Sequence, residues 1–188
     1  MMKTEHQNLL LQIARDAISS ELHKRDGDDG RDVPLNKLPS ELQQKRATFV
    51  TLTIGGELRG CIGMLEACRP LAEDVAANAC DAAFEDPRFE PLSKEELENL
   101  EIHISVLSPS EEMEFSSEAD LLEQIRPGVD GLILQEGGRR GTFLPSVWED
   151  LPGAELFLMH LKMKAGLPNT YWSDTLRVSR YTAEYFPA

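Results

Sequence analysis

A pair of adjacent glycines, Gly55 and Gly56, constrains the fold more than any other feature of the sequence. The segment before them, residues 47–54 (ATFVTLTI), is rich in the β-branched residues that are typical of strands. Two consecutive glycines accept the positive φ angles of a tight hairpin turn. Residues 57–65 are therefore predicted to return antiparallel to the first strand, so the fold must contain an antiparallel sheet.

The returning strand contains the motif LRGCIG at residues 58–63, in which a cysteine lies between two glycines. Glycine inside a strand loses packing and conformational entropy, so it usually marks a bulge or the close approach of another group. Gly60 and Gly63 therefore predict that the sheet is thinned beside Cys61. We interpret both glycines as candidate ligand-contacting positions.

The rest of the chain alternates between helical and strand-like patterns. Apolar residues recur at helical spacing in some segments and alternate with polar residues in others. Helices are predicted at residues 5–23, from Pro70 to just before Asp86, and at residues 93–99, 117–125 and 155–165, and further strands at residues 101–107, 131–135, 141–144 and 175–186. Antiparallel hairpins without regular βαβ units indicate the α+β class, with mixed, largely antiparallel sheets packed with helices.

A length of 188 residues fits one domain, or two small subdomains sharing a core. Residues 1–24 are predicted to form an N-terminal docking helix. Residues 25–46 are interpreted as an irregular connector, because the acidic, glycine-rich run at 25–32 lacks the ligand pattern of a calcium loop. Residues 47–188 carry the remaining elements of the single predicted domain.

The motif at residues 58–63 resembles the signature of the AMMECR family, named from the Alport syndrome, midface hypoplasia and elliptocytosis chromosomal region. Six further segments resemble the family in the same order: residues 86–92 (DPRFEPL), 104–109 (ISVLSP), 128–132 (GVDGL), 140–145 (RGTFLP), 164–168 (KAGLP) and 180–184 (RYTAE). Residues 47–188 form the matching region. The closer resemblance is to the prokaryotic branch, protein A of the AmmeMemoRadiSam system.

This resemblance implies a larger and a smaller subdomain that share a core. It also implies that the protein acts alongside a Memo-like, dioxygenase-related protein and a radical-SAM protein, in modifying a small molecule or a macromolecule. The family name refers to a chromosomal region and to genetic companions, so the resemblance does not specify a reaction.

Composition excludes several classes of function. A net charge of −14 repels phosphate backbones, which disfavours direct nucleic-acid binding. No run approaches the roughly 18 apolar residues of a membrane span, and the N-terminus lacks the apolar core of a signal peptide, so we expect a cytoplasmic protein without membrane contact. The three cysteines show neither a CxxC motif nor zinc spacing, so reduced thiols, no metal site and no bound cofactor are expected.

Cys61 is the candidate nucleophile, because the thiolate is the reactive form of cysteine and a nearby cation favours it. Arg59 lies two residues away and on a regular strand would share its face, with the guanidinium within reach of the sulfur. A cysteine nucleophile also needs a base, and His103 on the polar face of strand 101–107 is the attractive candidate. The alternatives are that Cys61 packs as a small apolar residue and that His103 is solvated.

The segment DPRF at residues 86–89 offers a second candidate site. Asp86 is predicted to cap a turn, which leaves Arg88 as a donor for a carboxylate or phosphate. The alternative is an internal tie between Asp86 and Arg88. Arg140, beside Gly141, raises the same question, and it could form one anion-binding pocket with Arg59 and Arg88.

Two hypotheses about function follow from these residues. The first is an accessory component that binds a ligand or a partner, which is favoured by the lack of a complete set of catalytic groups. The alternative is a thiol-dependent enzyme that uses Cys61 in an arginine-lined pocket.

Overall fold

The structure, a computed structural model, describes residues 2–25 and 37–187. The chain divides into two compact units, residues 1–107 with 184–188 and residues 108–183. Within the predicted connector at residues 25–46, residues 26–36 lie outside the described residues. Its described part contains a short 3₁₀ helix, Ser40–Gln43.

The first unit packs helices against one face of a four-stranded sheet. Its elements are helices α1 (Thr4–Arg25), α2 (Leu71–Phe84) and α3 (Lys94–Leu97), and strands β1 (Thr48–Ile54), β2 (Glu57–Gly63), β3 (Leu100–Leu107) and β8 (Ala183–Pro187). The strand order is β2-β1-β3-β8, and β1 is antiparallel to both β2 and β3. Buried apolar side chains from this sheet, α1 and α2 form the core of the unit.

The predicted hairpin is confirmed, with β1 and β2 joined by Gly55 at φ 60° and Gly56 at φ 82°. Its register shifts within β1, since Leu52 faces Gly60 whereas Thr53 faces Leu58. Arg59 is therefore the extra residue of a β-bulge, which interrupts the regular alternation of side chains along β2.

Gly60 and Gly63 are both required by close packing within the protein. A Cβ atom at Gly60 would overlap the backbone carbonyl of Ala82 on α2. A Cβ atom at Gly63 would overlap the ring of Phe49 and the carbonyl of Thr48. The sequence predicts that the glycines leave space beside the sheet. At Gly60 and Gly63 this space is filled by other residues of the same chain.

A buried polar network fixes α2 to the start of β1. Asp74 is fully buried, and its Oδ2 accepts hydrogen bonds from the backbone N–H of Thr48 at 3.0 Å and from Thr48 Oγ1 at 2.7 Å. Asn78 Nδ2 donates to the same oxygen at 3.0 Å, and Arg69 Nε donates to Asp74 Oδ1 at 3.1 Å. The carboxylate thus has four donors, which meets the requirement for burying a charge.

The second unit contains a four-stranded sheet of order β4-β7-β5-β6 with antiparallel pairs. Its elements are strands β4 (Glu111–Glu112), β5 (Gly131–Glu136), β6 (Arg139–Phe143) and β7 (Arg177–Tyr181), helices α4 (Glu118–Gln124) and α5 (Ala154–Lys164), and a 3₁₀ helix, Pro145–Glu149. The helix predicted at residues 117–125 is confirmed as α4. The Ser117 side chain caps it by accepting a hydrogen bond from the N–H of Asp120.

The sequence predicts one strand over residues 175–186, but the structure has two. Thr182 separates β7 from β8, and these strands belong to different sheets. The N–H of Thr182 donates to Ser108 Oγ at 2.9 Å, and its carbonyl accepts from the N–H of Ser108 at 2.8 Å. These bonds replace ladder pairing at Thr182, so the chain leaves one sheet and enters the other there.

The α+β class is confirmed by the helices and the two antiparallel sheets. The buried hydrophobic residues form two clusters, one in each unit. Among the described residues, none of the helices has the length and apolar character needed to cross a membrane.

Candidate functional site around Cys61

Cys61 lies in a row of polar side chains that crosses three strands. Thr51 on β1 pairs with Cys61 on β2 and with His103 on β3, so the three residues share one face of the sheet. The opposite face is apolar and packs on the helices. Cys61 is partly buried, and its Sγ accepts a hydrogen bond from Thr51 Oγ1 at 3.3 Å. The thiol is thus presented on the face away from the core.

The backbone of Cys61 is held from the outer edge of the sheet, because β2 is an edge strand. Its N–H donates to Asp86 Oδ2 at 2.9 Å, and its carbonyl accepts a long hydrogen bond from Arg88 Nη2 at 3.4 Å. Both groups therefore point away from β1, so Thr51 and Cys61 form a non-hydrogen-bonded pair whose side chains lie close together. Asp86 and Arg88 satisfy the backbone where another strand would pair.

Asp86 and Arg88 form a salt bridge with each other, which is one of the two alternatives that the sequence leaves open for the DPRF segment. Arg88 Nε donates to Asp86 Oδ1 at 2.9 Å and Nη2 donates to Oδ2 at 2.7 Å, while the backbone N–H of Arg88 also donates to Oδ1 at 3.1 Å. The Arg88 side chain, followed by the N–H of Cys61, holds the pKa of Asp86 well below its usual range. Asp86 is 4% exposed, so it is a buried carboxylate whose charge is compensated by the exposed Arg88 side chain.

Arg88 is also the cation that is coupled to the thiol. Hydrogen bonding to Asp86 raises the pKa of Arg88 above its usual range, and the charge of a Cys61 thiolate raises it further. The sequence predicts Arg59 as the arginine beside the thiol, whereas the arginine that contacts Cys61 is Arg88, whose Nη2 donates to the Cys61 carbonyl at 3.4 Å.

Arg59 instead pairs with Glu96, the third residue of helix α3. Its Nε donates to Glu96 Oε1 at 2.6 Å and its Nη2 donates to Oε2 at 3.1 Å. Glu96 also accepts the N–H of Ser93 at 2.9 Å in the predicted capping box. Arg59, followed by Ser93, lowers the pKa of Glu96 to about 2. The bulge explains the difference from the prediction, because residues two apart share a face only on a regular strand.

Two arginines of the predicted pocket, Arg59 and Arg88, lie over the Phe89 ring. The guanidinium carbon lies 5.8 Å from the ring centroid for Arg59 and 5.5 Å for Arg88. Each guanidinium is already paired with a carboxylate, Glu96 or Asp86. Arg140, the third arginine of the predicted pocket, lies on β6 in the second unit, opposite Gln135. Within the first unit, the arginines of the predicted pocket are Arg59 and Arg88, which flank the Phe89 ring and are each paired with a carboxylate.

His103 does not contact the sulfur of Cys61, because β1 lies between their strands. Strand spacing places β2 and β3 roughly 10 Å apart. The two ring nitrogens of His103 are engaged by Thr53 Oγ1 at 3.0 Å and by the Tyr185 hydroxyl at 2.7 Å, and the Tyr185 ring stacks on the imidazole at 5.8 Å. The predicted Cys–His dyad is therefore wrong as a direct pair, and Thr51 occupies the space between the two groups.

Thr51 and Tyr185 are site residues that sequence reasoning misses. A regular two-residue hairpin would place Thr51 opposite Gly60, and only the bulge brings it opposite Cys61. Tyr185 reaches His103 because β8 joins β3 from the far end of the chain. No local pattern in the sequence reveals either the bulge position or this strand pairing.

The chemistry available on this face is that of a thiol, hydroxyls, an imidazole and the Glu101 carboxylate, which accepts a hydrogen bond from Thr53 Oγ1 at 3.0 Å. Within residues 2–25 and 37–187, no group of three or more His, Cys, Asp or Glu side chains is placed to hold a metal ion. The face can donate and accept hydrogen bonds and can present the thiol.

The fold and this site together define a class of two-unit α+β proteins that display a cysteine on a polar sheet face and fix it through an Asp-Pro-Arg segment. The chain belongs to the AMMECR1 family, whose family model matches residues 11–186.

Relatives in other organisms extend over nearly the whole chain. A protein from Methanothermobacter thermautotrophicus is 42% identical over 183 residues, covering 94% of this chain and 91% of the relative. A protein from Thermotoga maritima is 40% identical over 156 residues, covering 81% of this chain and 84% of the relative. The crystal structure of an uncharacterised protein from Pyrococcus horikoshii aligns with a TM-score of 0.84 and 36% identity, over 99% of this chain and 93% of that one.

Proposed function

We propose that the protein is a ligand- or partner-binding component whose contact surface is the polar face around Cys61. We define this polar face as Thr51, Thr53, Cys61, His103 and Tyr185. The observation that carries the proposal is the way Cys61 is held: Asp86 and Arg88 fix its backbone from the edge, while its side chain remains on the face away from the core. Because both backbone groups are held, the position from which the thiol is presented is fixed.

The chemistry of the polar face favours a polar group that donates hydrogen bonds, rather than an anion, as the ligand. Hydroxyls, an imidazole and a thiol give directed hydrogen bonds, and the Glu101 carboxylate, which accepts a hydrogen bond from Thr53 Oγ1 at 3.0 Å, adds a negative charge. The nearby guanidinium groups of Arg59 and Arg88 are bound to Glu96 and Asp86, which reduces their attraction for a phosphate. An amide or hydroxyl of a small molecule or of a partner segment matches these donors and acceptors.

The proposed partners are a Memo-like protein and a radical-SAM protein, with a small molecule or a modified substrate as the ligand. Resemblance to the prokaryotic branch of the family supports this part of the proposal. The free thiol of Cys61 supports a reducing compartment, so we place the function in the cytoplasm.

The alternative proposal, a thiol-dependent enzyme, draws on the coupling between Arg88 and a Cys61 thiolate. Such an enzyme needs a base or an acid within hydrogen-bond reach of the thiol or its substrate. Among the described residues, the hydrogen-bond partner of Sγ is Thr51, which supplies neither. This geometry gives the binding role more support than the enzymatic one.

The test is to block the polar face chemically and measure partner binding. In a Cys68→Ser/Cys80→Ala variant, N-ethylmaleimide modifies Cys61; in a Cys61→Ser/Cys80→Ala variant, it modifies the exposed Cys68 and serves as the matched control. Each protein, before and after modification, is titrated with the purified Memo-like and radical-SAM proteins of the same genome by biolayer interferometry.

Modification of Cys61 is expected to weaken binding at least about tenfold, because a bulky group in the centre of an interface removes close contact. Modification of Cys68 is expected to leave binding unchanged. Equal binding by both modified proteins would contradict the role of the polar face. Failure of the unmodified chain to bind either protein would contradict the proposed partners.

A further inference from the structure

A groove of about 370 Å³ lies within the second unit, apart from the polar face. One wall is the segment that precedes α4, with Met113, Glu114 and Phe115. The other wall is the segment that precedes β7, with Trp172 and Asp174. We call this site the aromatic groove. Its volume lies in the range of small-molecule sites, which is about 300–1,000 Å³.

The wall that carries Trp172 is anchored by one carboxylate. The hydroxyls of Tyr171, Ser173 and Thr175 all donate to Glu136 Oε1, at 3.1, 3.0 and 2.7 Å. Thr175, followed by Ser173 and Tyr171, lowers the pKa of Glu136, so the anchor is charged at neutral pH. Tyr171, Ser173 and Thr175 are thus all bound to Glu136 at the end of β5. The residues between them, Trp172 and Asp174, line the groove.

The opposite wall is anchored by hydrogen bonds to neighbouring elements. The N–H of Met113 donates to the carbonyl of Val178 at 2.8 Å, and Gln124 Nε2 donates to the carbonyl of Glu114 at 2.9 Å. The rings of Phe115 and Trp172 lie 5.6 Å apart at 57°. Because both walls are fixed, the groove does not have to order its own lining when a ligand binds.

The groove is electronegative. Glu114 and Asp174 are exposed, and within residues 2–25 and 37–187 their carboxylates have no ion-pair partner. The nearest cations are already compensated. Lys162 Nζ lies 2.6 Å from Glu118 Oε1, and Arg177 Nε lies 2.7 Å from Glu112 Oε1. Lys162 also lies 5.7 Å from the Trp172 ring centroid, so this ring already receives a cation.

We infer that the aromatic groove binds a small organic cation, of the alkylammonium class. The faces of Trp172 and Phe115 attract a cation through their ring quadrupoles, and an indole does so best among the aromatic side chains. The carboxylates of Glu114 and Asp174 add direct Coulomb attraction at the rim. This inference rests on the second unit alone and is independent of the function proposed for the polar face.

The probe is choline, compared with 3,3-dimethyl-1-butanol, which has the same shape without the charge. Isothermal titration calorimetry of the full chain is expected to show saturable choline binding that is at least about tenfold tighter than binding of the neutral alcohol. Equal affinity for the two probes, or no saturable heat up to about 50 mM choline, would overturn the inference.

Variants locate the binding in the groove. Trp172→Leu is expected to weaken choline binding about tenfold, because it removes the cation–π surface. The double variant Glu114→Gln/Asp174→Asn is expected to weaken it about fivefold while keeping the fold, since both carboxylates are exposed.

Glu123→Gln removes a charge from an exposed position of α4 and is the matched control, with unchanged affinity expected. Circular dichroism reports whether each variant is folded. If the folded double variant binds choline as tightly as the control does, the groove is not the site.

Discussion

In both units a glycine on the second strand of a hairpin allows another backbone segment to pack closely against the sheet, but the residue that follows this glycine makes different contacts in the two units. Each has a hairpin with a glycine pair at its turn, Gly55-Gly56 or Gly137-Gly138, and a second strand at the edge of its sheet. Each second strand carries a glycine that lies against the backbone of a helix, at Ala82 for Gly60 and at Ala165 for Gly141.

The residue after each of these glycines shows the difference. Thr142, after Gly141, donates to the carbonyl of Leu132 at 2.9 Å and lies 3.3 Å from the Tyr181 hydroxyl. Cys61, after Gly60, keeps its side chain on the polar face and has its backbone held by Asp86 and Arg88. Because such a glycine is present in both units, it does not distinguish the candidate site, which is marked instead by Cys61 and the residues that hold it.

The largest expected effect on stability comes from Asp74 in the first unit. Its buried carboxylate accepts four hydrogen bonds and fixes α2 to β1. Asp74→Ala leaves the Thr48 and Asn78 donors buried without their acceptor, so it should lower the free energy of unfolding by about 3–5 kcal/mol. Urea unfolding followed by circular dichroism measures the change. A loss below about 1 kcal/mol would show that the network does not hold the helix.

Alanine at the two helix-contacting glycines tests whether their packing is equivalent. Gly60→Ala should destabilise the protein by about 3 kcal/mol, since the new Cβ would overlap a backbone carbonyl. Gly141→Ala should cost about 1–2 kcal/mol, because its Cβ would lie 2.9 Å from Ala165 N and a small shift relieves the contact.

The control for both is Gly138→Ala, where nothing lies within 4 Å of the new Cβ. Its stability should stay within about 0.5 kcal/mol of the parent in the same urea titrations. Equal losses of unfolding free energy in Gly60→Ala and Gly141→Ala would show that the two glycines are packed equally tightly.

Acid should weaken the first unit through its ion pair at α3. The pKa of Glu96 is lowered from 4.5 to about 2 in the folded protein, because Arg59 and then Ser93 donate to it. The stabilisation is fully present above about pH 4.5 and is lost as the pH falls toward 2. After allowance for solvent screening, it amounts to about 1 kcal/mol.

Glu96→Gln should flatten the pH dependence of unfolding between about pH 4.5 and 2, measured by urea titration at successive pH values. Glu95→Gln, at the neighbouring position of α3, is the control and should keep the parent profile. A profile that is the same for both variants would show that the Arg59–Glu96 pair contributes nothing.

The smallest expected effect concerns the reactivity of the thiol. Arg88→Met should slow iodoacetamide alkylation of Cys61 about threefold near neutral pH, because Arg88 is the cation coupled to the thiolate. Arg59→Met is the control, since Arg59 packs on the same Phe89 ring but pairs with Glu96. Peptide mass spectrometry gives the rates, with Cys68 as an internal reference. If Arg59→Met slows alkylation of Cys61 more than Arg88→Met does, Arg59 rather than Arg88 is the arginine that acts on the thiol.

Local patterns in the sequence were sufficient to predict most helices and strands of both units. The glycine pairs specify the two turns, and alternation along residues 101–107 specifies the buried face of β3. The Asp86–Arg88 tie could also be proposed, because its members are two residues apart. These features depend on contacts between residues that are close in sequence.

Features that depend on distant contacts were not predictable. The bulge at Arg59 redirects its side chain to Glu96, and no propensity marks where a register shift occurs. The apolar residues of α5 do not mark its buried face, since Leu156 and Met163 are 40% and 54% exposed while Lys162 is fully buried. A buried lysine is stabilised here by Glu118 and by the Trp172 ring, which come from other segments of the second unit.

The contacts at the outer side of Cys61 also bear on strand pairing between molecules. An edge strand with free N–H and carbonyl groups is a template for strands of other molecules, and it promotes aggregation. At Cys61 both groups are taken by Asp86 and Arg88, in the middle of β2. The pair that orients the thiol therefore also interrupts the template where an incoming strand would have to bond.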